Sequence, residues 1–252
     1  MKAVLKYPGA KWRISEWIIS HFPEHKVYCE PFFGSGAVFF NKPQTYIETI
    51  NDIDGNIVNL FKVCRDNPEE LARLTEFTPF AREEFENCYD KSDDPIEQAR
   101  RTLVRYHQSF GTSNSSKKSW RNVQTYGGPR TATMWNYLPG RISEICARLK
   151  EAQIENIDAI ELIRRYNDEN TLLYCDPPYL QSLRKKNMYS CELSEEYHIN
   201  LLSVLKESKS KIVLSGYDSQ LYNSMLSGWN TDEKQTTAQM GKHRVEKIWF
   251  NF

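Results

Sequence analysis

The chain has 252 residues, a mean hydropathy of −0.64 and no run that approaches the roughly 18 uncharged apolar residues of a membrane span, which excludes a membrane-spanning protein. Its six cysteines stand singly, without a C-x-x-C pair, and this argues against a zinc finger or a disulfide scaffold. The first residues contain no apolar signal segment, so we expect a soluble cytoplasmic protein. The length predicts one large domain or two small ones.

The formal net charge is zero, from 33 basic and 33 acidic residues, but the two signs are segregated along the chain. Residues 66–97 hold eleven acidic and three basic residues, whereas residues 100–150 hold ten basic residues and one acidic residue. Aromatic residues are interleaved with the basic ones, a composition that suits a phosphate backbone flanked by stacking bases. A solvated basic face on a helical subdomain is the alternative, and composition alone does not decide between them.

Helical and strand-like segments alternate along most of the chain. In chain order they are a helix at Lys11–Ser20, strands at Lys26–Cys29 and Tyr46–Ile50, helices at Gly55–Cys64, Ile96–Gln108, Ile142–Ala152 and Asp158–Tyr166, a strand at Thr171–Cys175, a helix at Ser194–Lys206, and strands at Lys211–Ser215 and Val245–Phe250. This alternation predicts an α/β sheet with ligands at the carboxyl ends of its strands. Residues 68–150 break the alternation and predict a helical insertion that carries the basic segment.

The first predicted strand runs into Glu30-Pro31-Phe32-Phe33-Gly34-Ser35-Gly36, a glycine-rich turn that we expect to open a helix. Its glycines allow the backbone to approach a ligand closely. Phe39 replaces the third glycine of a dinucleotide fingerprint and no Gly-Lys-Ser/Thr follows, which disfavours NAD and nucleoside triphosphates. Asp52 follows the second predicted strand, where α/β folds bind ribose hydroxyls. We therefore predict a nucleoside cofactor, with an ordinary tight turn as the alternative.

The segment Asp176-Pro177-Pro178-Tyr179 directly follows an apolar strand. Proline holds the preceding residue in an extended conformation and removes a backbone donor. The Asp176 carboxylate and the Pro177 carbonyl can therefore face one spot as acceptors, with the Tyr179 ring as a stacking wall beside them. Such a site suits a planar ring that bears an exocyclic amino group, and a rigid turn is the alternative.

Together these segments resemble the S-adenosylmethionine-dependent amino-methyltransferases, specifically the Dam-type DNA adenine-N6 methyltransferases. Tyr7-Pro8-Gly9-Ala10-Lys11, the glycine-rich turn, Asn51-Asp52-Ile53-Asp54 and Asp176–Tyr179 match the family in order and span nearly the whole chain. Ala10 stands where the family often has glycine, and Asp54 where it often has asparagine. The resemblance implies a Rossmann-like methyltransferase sheet with helices on both faces, built from residues 1–66 and 151–252. It also implies a mainly helical DNA target-recognition domain inserted at residues 67–150.

The resemblance further implies that the methyl group of S-adenosylmethionine moves to N6 of an adenine flipped out of double-stranded DNA. The catalytic residues would be Asp176, Pro177, Pro178 and Tyr179. The cofactor would contact Tyr7, Gly9, Lys11, Glu30, Pro31, Phe32, Gly34, Ser35, Gly36, Asp52, Ile53, Ile157 and Asp176, with residues 155–158 at its adenine edge. Taken alone, Lys11 is typical of a solvated helix residue and Tyr7 of a core aromatic, and only the matched spacing supports their roles.

DNA contacts are expected from the basic insertion and from the basic run after the catalytic segment. The candidates are Arg105, Lys117, Lys118, Arg121, Tyr126, Arg130, Arg184 and Lys185. We interpret Arg184-Lys185-Lys186 as a phosphate-contacting lid, with a solvated charge run as the alternative. The five histidines show no metal-ligand spacing, so we predict no metal site.

Other substrates remain open for the same chemistry, namely cytosine N4, adenine in RNA or a glutamine side chain. Asp176 favours adenine, since the cytosine-N4 and glutamine enzymes more usually carry serine or asparagine there. A non-catalytic DNA-binding module is the alternative from another class, and the intact Asp52 and Asp176 argue against it. We expect the protein on DNA in the cytoplasm of a bacterial cell or a phage-infected host. A separate cognate restriction endonuclease, as in a restriction–modification pair, is left open.

Overall fold

The computed structural model describes residues 1–110, 119–124, 126, 130–183, 191–237 and 243–252. Its strands are β1 (Val27–Glu30), β2 (Ile47–Asn51), β3 (Gln153–Glu155), β4 (Thr171–Cys175), β5 (Lys211–Gly216), β6 (Asn230–Thr237) and β7 (His243–Phe250). Its α-helices are α1 (Ser15–Ile19), α2 (Gly55–Asp66), α3 (Pro68–Phe77), α4 (Arg82–Asn87), α5 (Pro95–Gln108), α6 (Thr131–Trp135), α7 (Leu138–Lys150), α8 (Ala159–Arg165), α9 (Glu195–Glu207) and α10 (Gln220–Met225).

The strands form one sheet in the order β3-β2-β1-β4-β5-β7-β6. β1 pairs in parallel with β2 and β4, and β3 and β5 extend the parallel part at its two sides. β7 pairs antiparallel with both β5 and β6. The chain runs from β1 outward to β3 on one side and returns to β4 on the other. The strand order therefore reverses between β1 and β4, where open α/β sheets bind ligands beyond the carboxyl ends of the strands.

Helices cover both faces of the sheet, because successive side chains of a strand point to opposite faces. On β4, Leu172 and Tyr174 join one hydrophobic cluster together with residues of α2, α5 and α7. Leu173 and Cys175 join a second cluster together with residues of α8 and α9. β4 is accordingly buried along its whole length. The predicted α/β sheet with helices on both faces is confirmed.

Local capping signals start the helices that lead away from the carboxyl edge of the sheet. The Asp54 carboxylate accepts a hydrogen bond from the backbone N–H of Asn56 at the start of α2. Asp158 accepts from the first turn of α8 in the same way, and Ser194 accepts from the N–H of Tyr197 at the start of α9. These side chains satisfy donors that the first helical turn leaves unpaired. They fix where each helix begins beside the sheet edge.

Several elements differ from their predictions. The glycine-rich turn does not open a helix, because residues 36–42 form consecutive turns, one of them closed by a bond from the Phe40 N–H to the Gly36 carbonyl. The helix predicted over Lys11–Ser20 begins only at Ser15. β3 and β6 were not predicted. β6 is polar throughout, so its strand conformation comes from pairing with β7 rather than from an apolar pattern.

The described residues between 67 and 150 form α3 to α7. Their apolar side chains, among them Leu71, Phe85, Leu103 and Ile145, belong to the same hydrophobic cluster as one face of the sheet. The assignment of this segment to DNA target recognition stays a prediction. No helix in the part of the chain that the structure describes is both long and apolar enough to span a bilayer.

Candidate active site

A cleft of about 190 Å³ opens at the carboxyl ends of β1 and β4. It is lined by residues 7–11, residues 30–35, 37 and 38 at the end of β1, Asp52 and Ile53 after β2, Asp158 and Ala159 at the start of α8, Tyr174, Asp176 and Pro178 around the end of β4, and Cys191, Leu193 and Tyr197 ahead of and within α9. The cleft lies where the strand order reverses, which is the expected ligand position in this type of sheet.

Most residues predicted to contact the cofactor line this cleft. They are Tyr7, Gly9, Lys11, Glu30, Pro31, Phe32, Gly34, Ser35, Asp52, Ile53 and Asp176. Gly36 and Ile157, although described, are not lining residues. The N–H of Ile157 donates to Asn51 Oδ1 at 2.9 Å, and Asn51 Nδ2 donates to the carbonyls of Pro31 and Ile157 at 2.9 and 3.1 Å. The Asn51 side chain therefore connects the loop after β1 to the loop before α8 through hydrogen bonds.

Two glycines let the turn after β1 wrap closely around the cleft. Gly34 and Gly36 have φ values of 51° and 66°, in the left-handed region that side chains avoid. A β-carbon on Gly34 would lie 2.9 Å from the Tyr7 ring, and one on Gly36 would overlap the ring of Phe33. A side chain at either position would collide with a packed aromatic ring, so this turn requires glycine at both.

Asp52 holds the same turn from the end of β2. Its Oδ2 accepts from the N–H of Gly34 at 2.8 Å, and its Oδ1 accepts from the N–H of Asp54 at 2.9 Å. Burial raises the pKa of Asp52 to about 6, although these two backbone donors favour the ionised form. Each carboxylate oxygen has a second lone pair, so Asp52 can still accept from the hydroxyl groups of a ligand.

Glu30 is the last residue of β1 and is only 2% exposed. The hydroxyl of Tyr28, two residues earlier on the same strand, donates to Glu30 Oε2 at 2.7 Å. Burial raises the pKa of Glu30 to about 8, the Tyr28 bond opposes this rise, and the Asp176 carboxylate adds to it. The cleft therefore contains carboxyl groups whose ionisation is unfavourable until a cation enters.

Replacement of Glu30 by glutamine is expected to stabilise the ligand-free protein increasingly between pH 6 and pH 8, as judged by urea unfolding. The carboxyl ionises near pH 4.5 in the unfolded chain but keeps its proton up to about pH 8 when folded. The wild type therefore loses up to about 1.4 kcal/mol of unfolding free energy per pH unit across this window. Glutamine keeps the shape and removes the proton linkage. A difference between the two proteins that stays constant with pH would contradict this prediction.

Asp176 directly follows β4 and forms a buried ion pair with Lys11. Lys11 Nζ lies 2.8 Å from Asp176 Oδ2 and also donates to the Gly9 carbonyl at 2.9 Å. Burial raises the pKa of Asp176, whereas Lys11 lowers it. The buried Oδ1 accepts no hydrogen bond from the residues that the structure describes. Pro178 also lines the cleft, whereas Pro177 is not among the lining residues.

Tyr179 lies against this ion pair and is 5% exposed. Its hydroxyl donates to Glu246 Oε2 at 2.7 Å, Lys11 Nζ lies 4.7 Å from its ring centre, and the Tyr217 ring meets it edge-on with 4.5 Å between centroids. Stacking of a base on this ring therefore requires its neighbours to move. Sequence reasoning missed Glu246 and Tyr217, because only the antiparallel pairing of β7 with β5 brings Glu246 to this edge of the sheet.

Sequence reasoning found only part of the far wall of the cleft. Asp158 Oδ2 accepts from the Tyr197 hydroxyl at 2.8 Å, and both residues line the cleft. Asp158 lies in the segment predicted at the adenine edge of a cofactor, but no motif marks Tyr197. Within the described ranges, no group of three or more His, Cys, Asp or Glu side chains is arranged to hold a metal ion.

The residues predicted to contact DNA lie in different surroundings. Arg105, on α5, lies over the ring of Tyr89 at 5.1 Å. Arg121 is half-buried, whereas Tyr126 and Arg130 are exposed. The remaining candidates lie outside the described residues, namely Lys117, Lys118, Arg184 and Lys185.

Part of the basic segment is neutralised inside the fold. Arg100 pairs with Glu84 and Glu97, and Glu97 also pairs with Arg101. Arg148 is buried against Glu48 of β2. These arginines bind protein carboxylates, so the charge balance of residues 100–150 overstates the basic surface that a phosphate backbone could meet.

The sheet order, the glycine turn at its switch point and the carboxylate after β2 define a Rossmann-like methyltransferase fold. The sequence matches the family model of the D12 class N6 adenine-specific DNA methyltransferases over residues 7–240. The chain belongs to this family. The match confirms the predicted activity class, an adenine-specific DNA methyltransferase that acts on N6.

Curated relatives agree with this assignment. The DNA adenine methylase of Haemophilus influenzae is 24% identical over 89% of this chain and 82% of its own length. The Type II methyltransferase M1.LlaDCHI of Lactococcus lactis subsp. cremoris is 25% identical over 96% of this chain and 90% of its own length. Among solved structures, the putative methyltransferase yhhF from Escherichia coli aligns with 96% of this chain and 83% of its own, with a TM-score of 0.40 and 9% identity.

Proposed function

We propose that the cleft binds S-adenosylmethionine and that Asp176 receives the amino group of an adenine flipped out of double-stranded DNA. One observation carries the proposal. Asp176 Oδ1 is a buried acceptor without a partner among the described residues, while Lys11 holds Oδ2 in place. Desolvating such an oxygen is unfavourable unless a donor reaches it, and an amino group is such a donor.

The cofactor assignment rests on the shape and charge of the cleft. S-adenosylmethionine would supply an electrophilic methyl group on a sulfonium. The bare backbone of Gly34 and the buried Glu30 fit the methionine end, where an ammonium group would favour ionised Glu30. Asp52 fits the ribose hydroxyls at the end of β2, and Asp158 fits the adenine edge. Both carboxylates follow strands of the parallel sheet, as in other nucleoside-binding folds.

At the target base, this chain supplies acceptors and orientation. The exocyclic nitrogen of adenine is a poor nucleophile because its lone pair is delocalised into the ring. Hydrogen bonds from that nitrogen to Asp176 Oδ1 and to the Pro177 carbonyl would favour a pyramidal nitrogen, whose lone pair faces the methyl group. Positioning and electrostatics then provide most of the rate enhancement. The ionised Asp176 also stabilises the positive charge that develops on the nitrogen.

Access to this site requires base flipping, since N6 of a paired adenine lies inside the duplex. Unstacking the base costs a few kcal/mol, which contacts in the pocket and along the backbone offset. Tyr179 would form one wall of the pocket after Tyr217 shifts from its ring. Arg105, Arg121, Tyr126 and Arg130 would contact the DNA from the insertion. Since one relative is named a Type II methyltransferase and others DNA adenine methylases, a partner restriction endonuclease remains an alternative to an independent enzyme.

The proposal is tested by incubating the purified protein with S-adenosylmethionine and unmethylated mixed-sequence DNA, followed by digestion to nucleosides and mass spectrometry. N6-methyladenine is expected in double-stranded DNA, and an Asp176→Asn protein should form it about 10³-fold more slowly. Cofactor binding without any methylated base would contradict the substrate assignment. Methylation of single-stranded DNA or RNA alone would contradict the flipped-base arrangement.

Replacement of Lys11 by methionine is expected to shift the acidic limb of the methyl-transfer pH profile to higher pH and to slow the reaction at pH 7. Lys11 lowers the pKa of Asp176 against the effect of burial, so its loss leaves Asp176 protonated over a wider pH range. Single-turnover rates between pH 5.5 and pH 9 measure this. Lys2→Met, an exposed change in the same N-terminal segment, serves as the control. A rate that falls equally at every pH would indicate a purely steric role for Lys11.

A further inference from the structure

Three charged side chains form a buried ion network behind the wall of the cleft. Glu48 of β2 accepts hydrogen bonds from Lys42 Nζ and from the guanidinium of Arg148, whose Nη2 lies 2.7 Å from Glu48 Oε1. The Lys42 and Glu48 side chains are 1% and 0% exposed, and Arg148 is 9% exposed. Lys42 also donates to the Pro43 carbonyl and the Thr45 hydroxyl. The motifs of the family do not account for this network.

Tyr28 connects the buried ion network to the cleft. It lies directly opposite Glu48 in the register of β1 and β2, and Lys42 Nζ lies 4.3 Å from the centre of its ring. The Tyr28 side chain is fully buried, and its hydroxyl donates to Glu30 Oε2 at 2.7 Å. A continuous set of contacts therefore runs from Arg148 through Glu48, Lys42 and Tyr28 to Glu30.

The charges of these residues balance only when Glu30 is ionised. The network has two cations, Lys42 and Arg148, and one carboxylate, Glu48. An uncompensated buried charge is strongly destabilising, and a second carboxylate nearby offsets it. Lys42 lowers the pKa of Glu30, as does the Tyr28 hydrogen bond, and both oppose the effect of burial. These two interactions reduce the free-energy cost of ionising Glu30, although burial still keeps it protonated up to about pH 8 in the ligand-free protein.

We infer that Tyr28 and Lys42 are positioning residues that orient Glu30 and favour its ionisation when the ammonium group of the cofactor's methionine moiety binds. This inference rests on the proposed function, since it concerns the same cleft. Tyr28 touches neither the cleft nor a reacting atom, and it acts only through Glu30. Without the Tyr28 hydroxyl, the Glu30 carboxyl would keep its proton to higher pH and its side chain would rotate more freely.

Other groups also face Glu30, and they contribute to the pH dependence of its ionisation. They are Cys29 on β1, the N–H of Phe39 and Lys42 in the loop after β1, and Tyr174, Cys175 and Asp176 at the end of β4. Asp176 disfavours the Glu30 anion, whereas the Phe39 N–H favours it. A change confined to Tyr28 leaves all of these groups in place.

The test is calorimetric binding of S-adenosylmethionine to the Tyr28→Phe protein between pH 6 and pH 9, with no DNA present. Affinity should fall about tenfold at pH 7, and the pH at which affinity is half-maximal should rise by about one unit. Tyr222→Phe is the matched control, because it removes an equally buried tyrosine hydroxyl, bound to His198 on the other face of the sheet. Lys42→Met, which leaves the Arg148–Glu48 pair intact, should shift the pH dependence in the same direction.

A double-mutant cycle distinguishes a role of Tyr28 that acts through Glu30 from a general disturbance of the fold. In a Glu30→Gln background, Tyr28→Phe should weaken binding no further, since there is no ionisation left to favour. Equal losses with and without the Glu30 carboxylate, or a wild-type pH dependence in Tyr28→Phe, would overturn the inference while the proposed function stands. If the wild-type protein itself does not bind S-adenosylmethionine, the proposed function fails, and the inference fails with it.

Discussion

Replacement of Asp176 by asparagine is expected to lower the single-turnover rate of adenine methylation by about 10³-fold, with DNA and cofactor affinities changed only a few-fold. Asparagine keeps the shape of the side chain but loses the charge that stabilises the developing positive nitrogen. It also removes the ionic partner of Lys11, which lies 2.8 Å from Oδ2 in the wild type. Rapid-quench transfer of a radiolabelled methyl group measures the rate, and equilibrium titrations measure the affinities.

Asp168→Asn is the matched control for this prediction. Asp168 precedes the opposite end of β4, where its Oδ1 accepts from the N–H of Asn170 at 2.8 Å. The same chemical change is therefore made in the loop before β4, at the opposite end of the strand from the cleft, and the rate should stay near the wild-type value. An Asp176→Asn protein that methylates adenine within tenfold of the wild-type rate would show that another group binds the amino nitrogen.

Replacement of Glu48 by glutamine is expected to lower the free energy of unfolding by about 3–5 kcal/mol, because Lys42 and Arg148 would remain buried without a counter-charge. A loss of this size corresponds to a fall in Tm of about 10 °C for a chain of this length. Chemical denaturation and differential scanning calorimetry measure the effect. The residue lies behind the cleft wall, so the measurement needs neither DNA nor cofactor.

Two comparisons test whether the loss of stability comes from buried cations without a counter-charge. Joint replacement of Lys42, Glu48 and Arg148 by methionine, leucine and methionine should recover much of the lost stability, because apolar residues of similar volume remove the uncompensated charges. Glu70→Gln, which breaks an exposed pair with Arg73, should change stability little. A Glu48→Gln protein as stable as the wild type would mean that the buried cations find other partners.

The sequence by itself determined the features that depend on neighbours along the chain. β4 was predicted with its observed bounds, because a largely apolar run between turn signals is typical of a strand buried on both faces of a parallel sheet. The carboxylates Glu30, Asp52 and Asp176 each stand at or just after a strand end, so the parallel pattern alone placed them at one edge. The order of these motifs also determined the family, since the comparisons support the activity that their resemblance implied.

Only the tertiary structure decided which side chains meet. Lys11 and Asp176 lie 165 positions apart, and their ion pair depends on how the N-terminal segment crosses the end of β4. Arg148 looked like part of a DNA-binding face, but the packing of α7 buries it on Glu48. β6 has no apolar alternation, and its conformation follows from pairing with β7. Local sequence patterns indicate backbone preference and burial. The two ion pairs and the β6–β7 pairing depend instead on strand order, register and helix packing, which no short stretch of sequence determines.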